Sequence, residues 1–365
     1  MQMNVILIKV LAAASWRGRL RTTSVLASAA APSAAAQHWP PPEPSGGMTL
    51  TYLEINGWLI SAAGVTVLVD PVLEGRLDFG IPALFAASKR VLPESGSTSS
   101  LPPLDALLIT QGLDDHAHAR TLARLAELDP TLPILAPPSA LPAVERAFGL
   151  GVVQCLASPS RRIELPYLGL SSLPTVRLPA DATHAAEAVV RPRRGGGGAG
   201  LRERGGARLR RSREGSGTAL GGGLRVTATS GALVGPPWQR RENGYVLRPV
   251  QEGAAPSLYL EPHVEFDEDE LRAFAPVDAV ITPTRGQALP GFELVHGPAA
   301  AVRLVETLRP RLVLPMSNGA IDAAGIAAPL VTPIGAGNEF ERLLAEAGGG
   351  AEVLEVTPGE PLTIG

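Results

Sequence analysis

From Met48 onward, apolar and polar positions alternate in short blocks. Thr49 to Glu54 roughly alternates, Trp58 to Ser61 is an apolar run after Asn56–Gly57, and Val65 to Val69 follows Ala63–Gly64. Both dipeptides are hairpin signals, so the stretch predicts antiparallel strands that stop at Asp70–Pro71. Ala106 to Thr110 and Pro133 to Ala136 are short, largely apolar runs of strand character. Between them, Leu122, Leu125 and Leu128 recur at helical spacing within Asp115 to Leu128. A helix over Ala140 to Phe148 and a strand over Val152 to Leu156 continue the alternation. Leu224 to Thr229, Tyr245 to Leu247, Leu258 to Leu260, Ala279 to Thr282 and Leu312 to Leu314 also predict strands. Glu268 to Phe274, Ala299 to Leu308 and Glu339 to Ala347 carry helical periodicity. Strands interleaved with helices predict an α/β or α+β fold, with two sheets covered by helices on the outside.

Composition changes this picture in two places. The 365 residues include 32 Lys+Arg, 35 Asp+Glu and one Cys, with a mean hydropathy of +0.15, enough chain to bury a sizeable core. The lone Cys155 excludes an intramolecular disulfide and a cysteine-based zinc knuckle. No apolar run reaches the roughly 18 residues of a membrane span, since the most hydrophobic stretch, Asn4 to Trp16, is short and contains Lys9. Residues 1–47 hold Lys9, Arg17, Arg19 and Arg21 against Glu43, in a background of Ala and Ser. That balance predicts an organelle transit peptide, for the chloroplast or alternatively the mitochondrion, over a secretory signal. Pro40 to Pro42 then mark a linker, and the patterned domain occupies 48–365, interrupted at about 191–223 by an Arg/Gly-rich insert. The insert is too polar to offset its ordering entropy and predicts a disordered loop. Of the total charge of −3, residues 191–225 contribute +8 and the leader +3, so the body carries −14. An acidic body argues against a nucleic-acid-binding fold, which leaves the insert as the one segment able to touch a polyanion such as RNA.

The chemistry centres on Ile109–Thr110–Gln111–Gly112–Leu113–Asp114–Asp115–His116, placed between a predicted strand and a predicted helix. Here the chain resembles the metallo-β-lactamase fold superfamily, whose signature at this place is Thr-His-x-His-x-Asp-His. Leu68–Val69–Asp70–Pro71, Glu242–Asn243–Gly244–Tyr245 and Leu314–Pro315–Met316 are similar to its ascorbate-phosphate-lactonase-type branch. Gln111 to His116 and Val234 to Gln239 look most like plant and algal members of that branch. The resemblance covers most of 48–365 and implies a four-layer αββα sandwich. It also implies one or two Zn²⁺ ions at strand ends, where the metal lowers the pKa of a bound water that attacks a phosphoester, lactone or thioester.

The ligand set, however, departs from the signature. Gln111 and Leu113 replace the two leading histidines, and only Asp115 and His116 match. The later ligand positions fall near Ser230–Gly231, Glu261–Pro262–His263 and Ser317–Asn318. The expectation is therefore a largely lost zinc site, no resident cofactor, and a pocket kept for a small-molecule ligand. The alternative is a hydrolase whose zinc is held by Asp115, His116 and His263, with Glu261 in support and Asp115 orienting or deprotonating water. Asp70, Gln111, Trp238, Glu261, Ser317 and Asn318 are the expected pocket residues. Each has a plainer explanation. Asp114 and Asp115 can cap the following helix, Asp70–Pro71 can be a turn, and Trp238 can cap the core. His116 and His118 would sit in a first helical turn, where positive charge is disfavoured, and should be neutral. His184 and His296 are expected at the surface. No phosphate-cradling glycine loop is present.

Overall fold

The computed structural model describes residues 46–149, 153–155, 187–193, 222–233 and 241–365. Nearly all of the predicted leader, most of the Arg/Gly-rich insert, His184 and Trp238 lie outside the described residues. The elements up to the insert are β1 (Met48–Tyr52), β2 (Trp58–Ala62), β3 (Val65–Val69), β4 (Ala86–Ser88), β5 (Ala106–Leu108), α1 (Ala119–Leu128), β6 (Ile134–Ala136), α2 (Leu141–Phe148), β7 (Val153–Cys155) and β8 (Glu187–Val190). After it come β9 (Leu224–Ser230), β10 (Asn243–Pro249), β11 (Leu258–Leu260), α3 (Glu268–Arg272), β12 (Ala279–Thr282), β13 (Gly286–Leu289), β14 (Phe292–Val295) and α4 (Pro298–Leu308). The chain closes with β15 (Leu312–Pro315), β16 (Asp322–Ala324), β17 (Thr332–Ile334), α5 (Glu339–Glu346), β18 (Glu352–Val353) and β19 (Pro361–Ile364).

Two sheets of seven strands carry the fold, in the orders β19-β1-β2-β3-β5-β6-β7 and β18-β15-β12-β11-β10-β9-β8. Each combines antiparallel pairs with a parallel run, β3-β5-β6-β7 in one and β11-β12-β15-β18 in the other. The Ala63–Gly64 signal forms the β2–β3 turn, with both residues at positive φ, 51° and 75°, as a type I′ turn requires. Asn56–Gly57 does not form a two-residue turn. Leu53 donates to the Gly57 carbonyl at 2.8 Å, and Glu54 and Ile55 carry the positive φ values, which leaves the Asn56 side chain free to turn inward.

The inner faces of the sheets meet in one core, in which Leu50, Ile60 and Val67 pack with Val226, Leu247 and Leu258. Outside the first sheet, Leu107 and Ile134 pack on Leu122 and Leu125 of α1 and Val144 of α2. Outside the second, Val280 packs on Leu271 of α3 and on Leu304 and Leu308 of α4, while Val313 meets Phe340 and Leu344 of α5. Helix, sheet, sheet, helix is the αββα order. Each fully buried aliphatic side chain contributes roughly 1.5–3 kcal/mol. No helix among the described residues is long and apolar enough to cross a membrane.

One boundary bears on the site. The helix expected from Asp115 begins at Ala119, because His116 and Ala117 donate to the Leu113 carbonyl and form a tight turn first. Asp114 Oδ1 accepts from the Ala119 amide at 3.0 Å and takes the capping role, which releases Asp115 from it.

Candidate functional site

The parallel strands of both sheets end on the same edge, the usual place for ligands in α/β sheets. Asp70 follows β3, Thr110 and Gln111 follow β5, Glu261 and His263 follow β11, and Asn318 follows β15. The sheets are tied together there: the Tyr245 hydroxyl donates to the Ile109 carbonyl at 2.8 Å, and the Asn243 amide donates to the Thr110 carbonyl at 3.0 Å.

His116 is the centre of the arrangement and is fully buried. Its Nδ1–H faces Asp70 Oδ2 at 2.8 Å, with Thr110 Oγ1 at 2.9 Å. Asp70 is itself anchored, since the Thr110 backbone amide donates to Oδ1 at 2.8 Å and the Thr110 hydroxyl donates to Oδ2. It holds φ at 40°, a left-handed conformation that is uncommon for a residue with a Cβ and that clusters at functional sites. On the other side, His116 Nε2 lies 3.2 Å from the Asn56 amide nitrogen and 3.3 Å from Asp115 Oδ2. Burial opposes the imidazolium, but the Asp115 and Asp70 carboxylates outweigh it and raise the pKa to about 10. His116 is thus charged at neutral pH, contrary to the neutral state expected for a first helical turn; it lies before the helix and between two carboxylates. Burial also opposes the Asp115 carboxylate, yet the adjacent His116 charge holds its pKa below the ordinary value.

A line of amides extends from this pair. Asn56 Nδ2 donates to the Asp115 carbonyl at 3.2 Å, Asn318 Nδ2 donates to Asn56 Oδ1 at 3.2 Å and to the Pro262 carbonyl at 3.0 Å, and Gln287 Nε2 donates to Asn318 Oδ1 at 3.0 Å. These partners fix which way each amide points. The His263 ring stacks on His116 with centroids 5.1 Å apart, and its Nδ1 lies 3.3 Å from Glu261 Oε1.

Above this floor lies a cavity of about 360 Å³, of ordinary size for a small-ligand site at roughly 300–1,000 Å³. Its wall is mainly apolar, with Ile55, Leu77, Phe79, Phe85, Leu289 and Phe292 contributing. Gln111, Asp115, His263 and Asn318 line it, as expected. Gln111 Nε2 and Oε1 and Asp115 Oδ1 are buried and have no hydrogen-bond partner among the described residues.

Three expected pocket residues are placed differently. Asp70 is buried beneath His116 rather than in the wall, because its carboxylate is consumed by Thr110 and His116. Glu261 is turned away, accepting the His263 and Glu265 backbone amides, each at 3.0 Å. Ser317 is exposed and outside the cavity. His118 is a hydrogen-bonded spacer, its Nδ1 2.8 Å from Thr121 Oγ1, and His296 is half-buried against Glu293 at 2.8 Å. Asn56, Gln287, Glu265, Glu293 and Asp78 line the cavity and were not foreseen. Asn56 carried only a turn signal, and the others stand in segments without periodicity.

The donor set does not fit the zinc ion that the resemblance implies. Asp115, His116 and His263 do come together, but both His116 nitrogens are occupied. When neutral, Nε2 accepts from Asn56; when charged, its N–H donates to Asp115. Neither state offers a lone pair to a metal. Leu113, which takes the place of a signature histidine, contributes an isobutyl group to the wall. Among the described residues, no group of three or more His, Cys, Asp or Glu side chains is arranged to hold a metal.

Solved structures share this architecture. A possible metal-dependent hydrolase from Veillonella parvula superposes with a TM-score of 0.50 at 14% identity, covering 87% of this chain and 99% of that one. The isothiocyanate hydrolase from Delia radicum gut bacteria gives 0.48 at 14% identity, covering 86% and 98%. CmlA, a diiron beta-hydroxylase from Streptomyces venezuelae, gives 0.48 at 16% identity, covering 89% of this chain and 55% of that one, so this chain spans about half the length of CmlA. At 14% identity the likeness to the Veillonella parvula protein is one of fold alone. No curated protein sequence matches the chain. A family profile described as a beta-lactamase superfamily domain matches residues 49–317. That match covers most of the chain, so the protein belongs to the beta-lactamase superfamily and has the metallo-β-lactamase fold.

Proposed function

We propose that this protein binds a small molecule at the strand-end cavity without a metal, a hydrogen-bonded set of carboxylates and amides standing where fold relatives place their ions. The observation that supports this most directly is the engagement of both His116 nitrogens, by Asp70 on one side and by Asn56 and Asp115 on the other. Gln111, where a metal ligand would stand, presents an amide with neither end satisfied to a mainly apolar cavity. Such a group orients a ligand through one donor and one acceptor.

Metal analysis of the full-length protein, purified from zinc-supplemented medium, tests this. The expected result is zinc far below one equivalent and a melting temperature unmoved by EDTA. Stoichiometric zinc whose removal lowers the melting temperature overturns the proposal. It would favour the second reading, a hydrolase with a rearranged site, for which the observation is the stacking of His116 on His263 beside Asp115. In that case Asp115→Ala should release the metal.

A further inference from the structure

The cavity's charge is one-sided. Four carboxylates line it, those of Asp78, Asp115, Glu265 and Glu293, and among the described residues no lysine or arginine does. Three of the four are compensated from behind the wall: Asp78 by Arg120 at 3.0 Å, Glu265 by Arg241 at 2.6 Å, and Glu293 by His296 at 2.8 Å. The fourth, Asp115, has no ion pair with a lysine or arginine among the described residues, and its neighbour His116 lies closer to Asp70, at 2.8 Å against 3.3 Å. One of its carboxylate oxygens, Oδ1, is buried with no hydrogen-bond partner among the described residues. A buried charged acceptor left unpaired is costly, and a donor brought in by a ligand removes that cost. In the lining of the same cavity, the Gln111 side chain, only 1% exposed, has an acceptor and a donor with no partner among the described residues.

We infer that the ligand is an amphipathic amine: a primary ammonium head that donates to Asp115 Oδ1 and to Gln111 Oε1, followed by an apolar body lying along the wall that includes Phe85 and Leu289. An anionic head, phosphate or carboxylate, would face four lining carboxylates with no lysine or arginine among the described lining side chains. This rests on the reading of the cavity as a metal-free binding site and adds the class of ligand.

Titration calorimetry of the full-length protein with octylamine, octan-1-ol and octanoate at neutral pH provides the test. Octylamine should bind one to one, at least about tenfold tighter than octanoate, a difference of about 1.4 kcal/mol. In Asp115→Asn the preference should fall by about tenfold or more, while octanol binding stays nearly constant. Gln111→Leu, which removes no existing hydrogen bond, should weaken octylamine in the same direction and serves if the first variant does not fold. Octanoate binding as tightly as octylamine, no saturable octylamine binding, or a preference that survives both substitutions each overturns the inference. A surface effect of the acidic body would survive them. Zinc measured on the same sample separates the two levels. Stoichiometric zinc removes the parent reading, whereas octanoate preference in zinc-free protein removes only the ammonium head.

Discussion

His116 and Asp70 form a pair in which each holds the other in place, and substitution at either exposes that dependence. Asp70→Asn removes one carboxylate from a buried imidazolium, and breaking such a pair costs on the order of 3–5 kcal/mol. Because the folded His116 pKa of about 10 lies above its ordinary value, its contribution to stability is complete below about pH 6.5 and is lost as pH rises through 10. In Asp70→Asn the loss should begin at lower pH, which urea unfolding at several pH values and NMR titration of the ring can follow. Glu242 is a second case, coupled to the first through the His116 charge. Burial pushes its carboxyl up to about 7, against the Ser139 hydroxyl bond and the His116 charge that favour ionisation. The protonated form is the one the fold prefers, so stability is highest below the ordinary carboxylate pKa and declines as pH rises through 7, by roughly 3 kcal/mol. Glu242→Gln should remove that part of the decline, read as urea midpoints that differ less between pH 5 and pH 8 than in the parent protein, the His116 part remaining. Of these residues, the sequence pointed to His116 and Asp115 through their match to a signature. It could not show that Asp70 lies beneath the ring, because that depends on a left-handed backbone turn.

At the level of elements, the readable parts were those with a full period. The leucines of α1 and the β2–β3 turn were visible because each repeats or signals locally. The walls of the cavity were not. They come from the β13–β14 hairpin, from β16 and from residues just before β4 and β17, in and around strands of three or four residues. Such short segments lack enough positions to show alternation. The Gln111 turn is held by packing as well. A Cβ on Gly112 would lie 2.2 Å from the Ser139 carbonyl oxygen, so the turn after β5 presses directly on the start of α2. Gly112→Ala should therefore cost about 1–3 kcal/mol and shift Gln111. The paired measurement is a chemical melt alongside octylamine affinity, and an unchanged melt would contradict this close contact.

For the whole molecule, the αββα order was legible from the alternation of strands and helices, since two amphipathic sheets have few ways to bury their faces. The place of the insert was less so. It joins β8 to β9, neighbours in the second sheet, which pair antiparallel with Val190 opposite Leu224. The Arg/Gly-rich segment thus begins and ends at neighbouring points on one sheet edge. Replacing residues 194–221 with a short Gly/Ser linker should leave the melting midpoint nearly unchanged, because closure entropy shifts by only about 0.6 kcal/mol for each doubling of loop length. If the segment contacts RNA, the same deletion should remove a salt-sensitive affinity while the cavity still binds octylamine. A fluorescent reporter spliced between these adjoining ends would ride on the scaffold at an edge that tolerates cargo, giving a handle for tracking the protein in living cells.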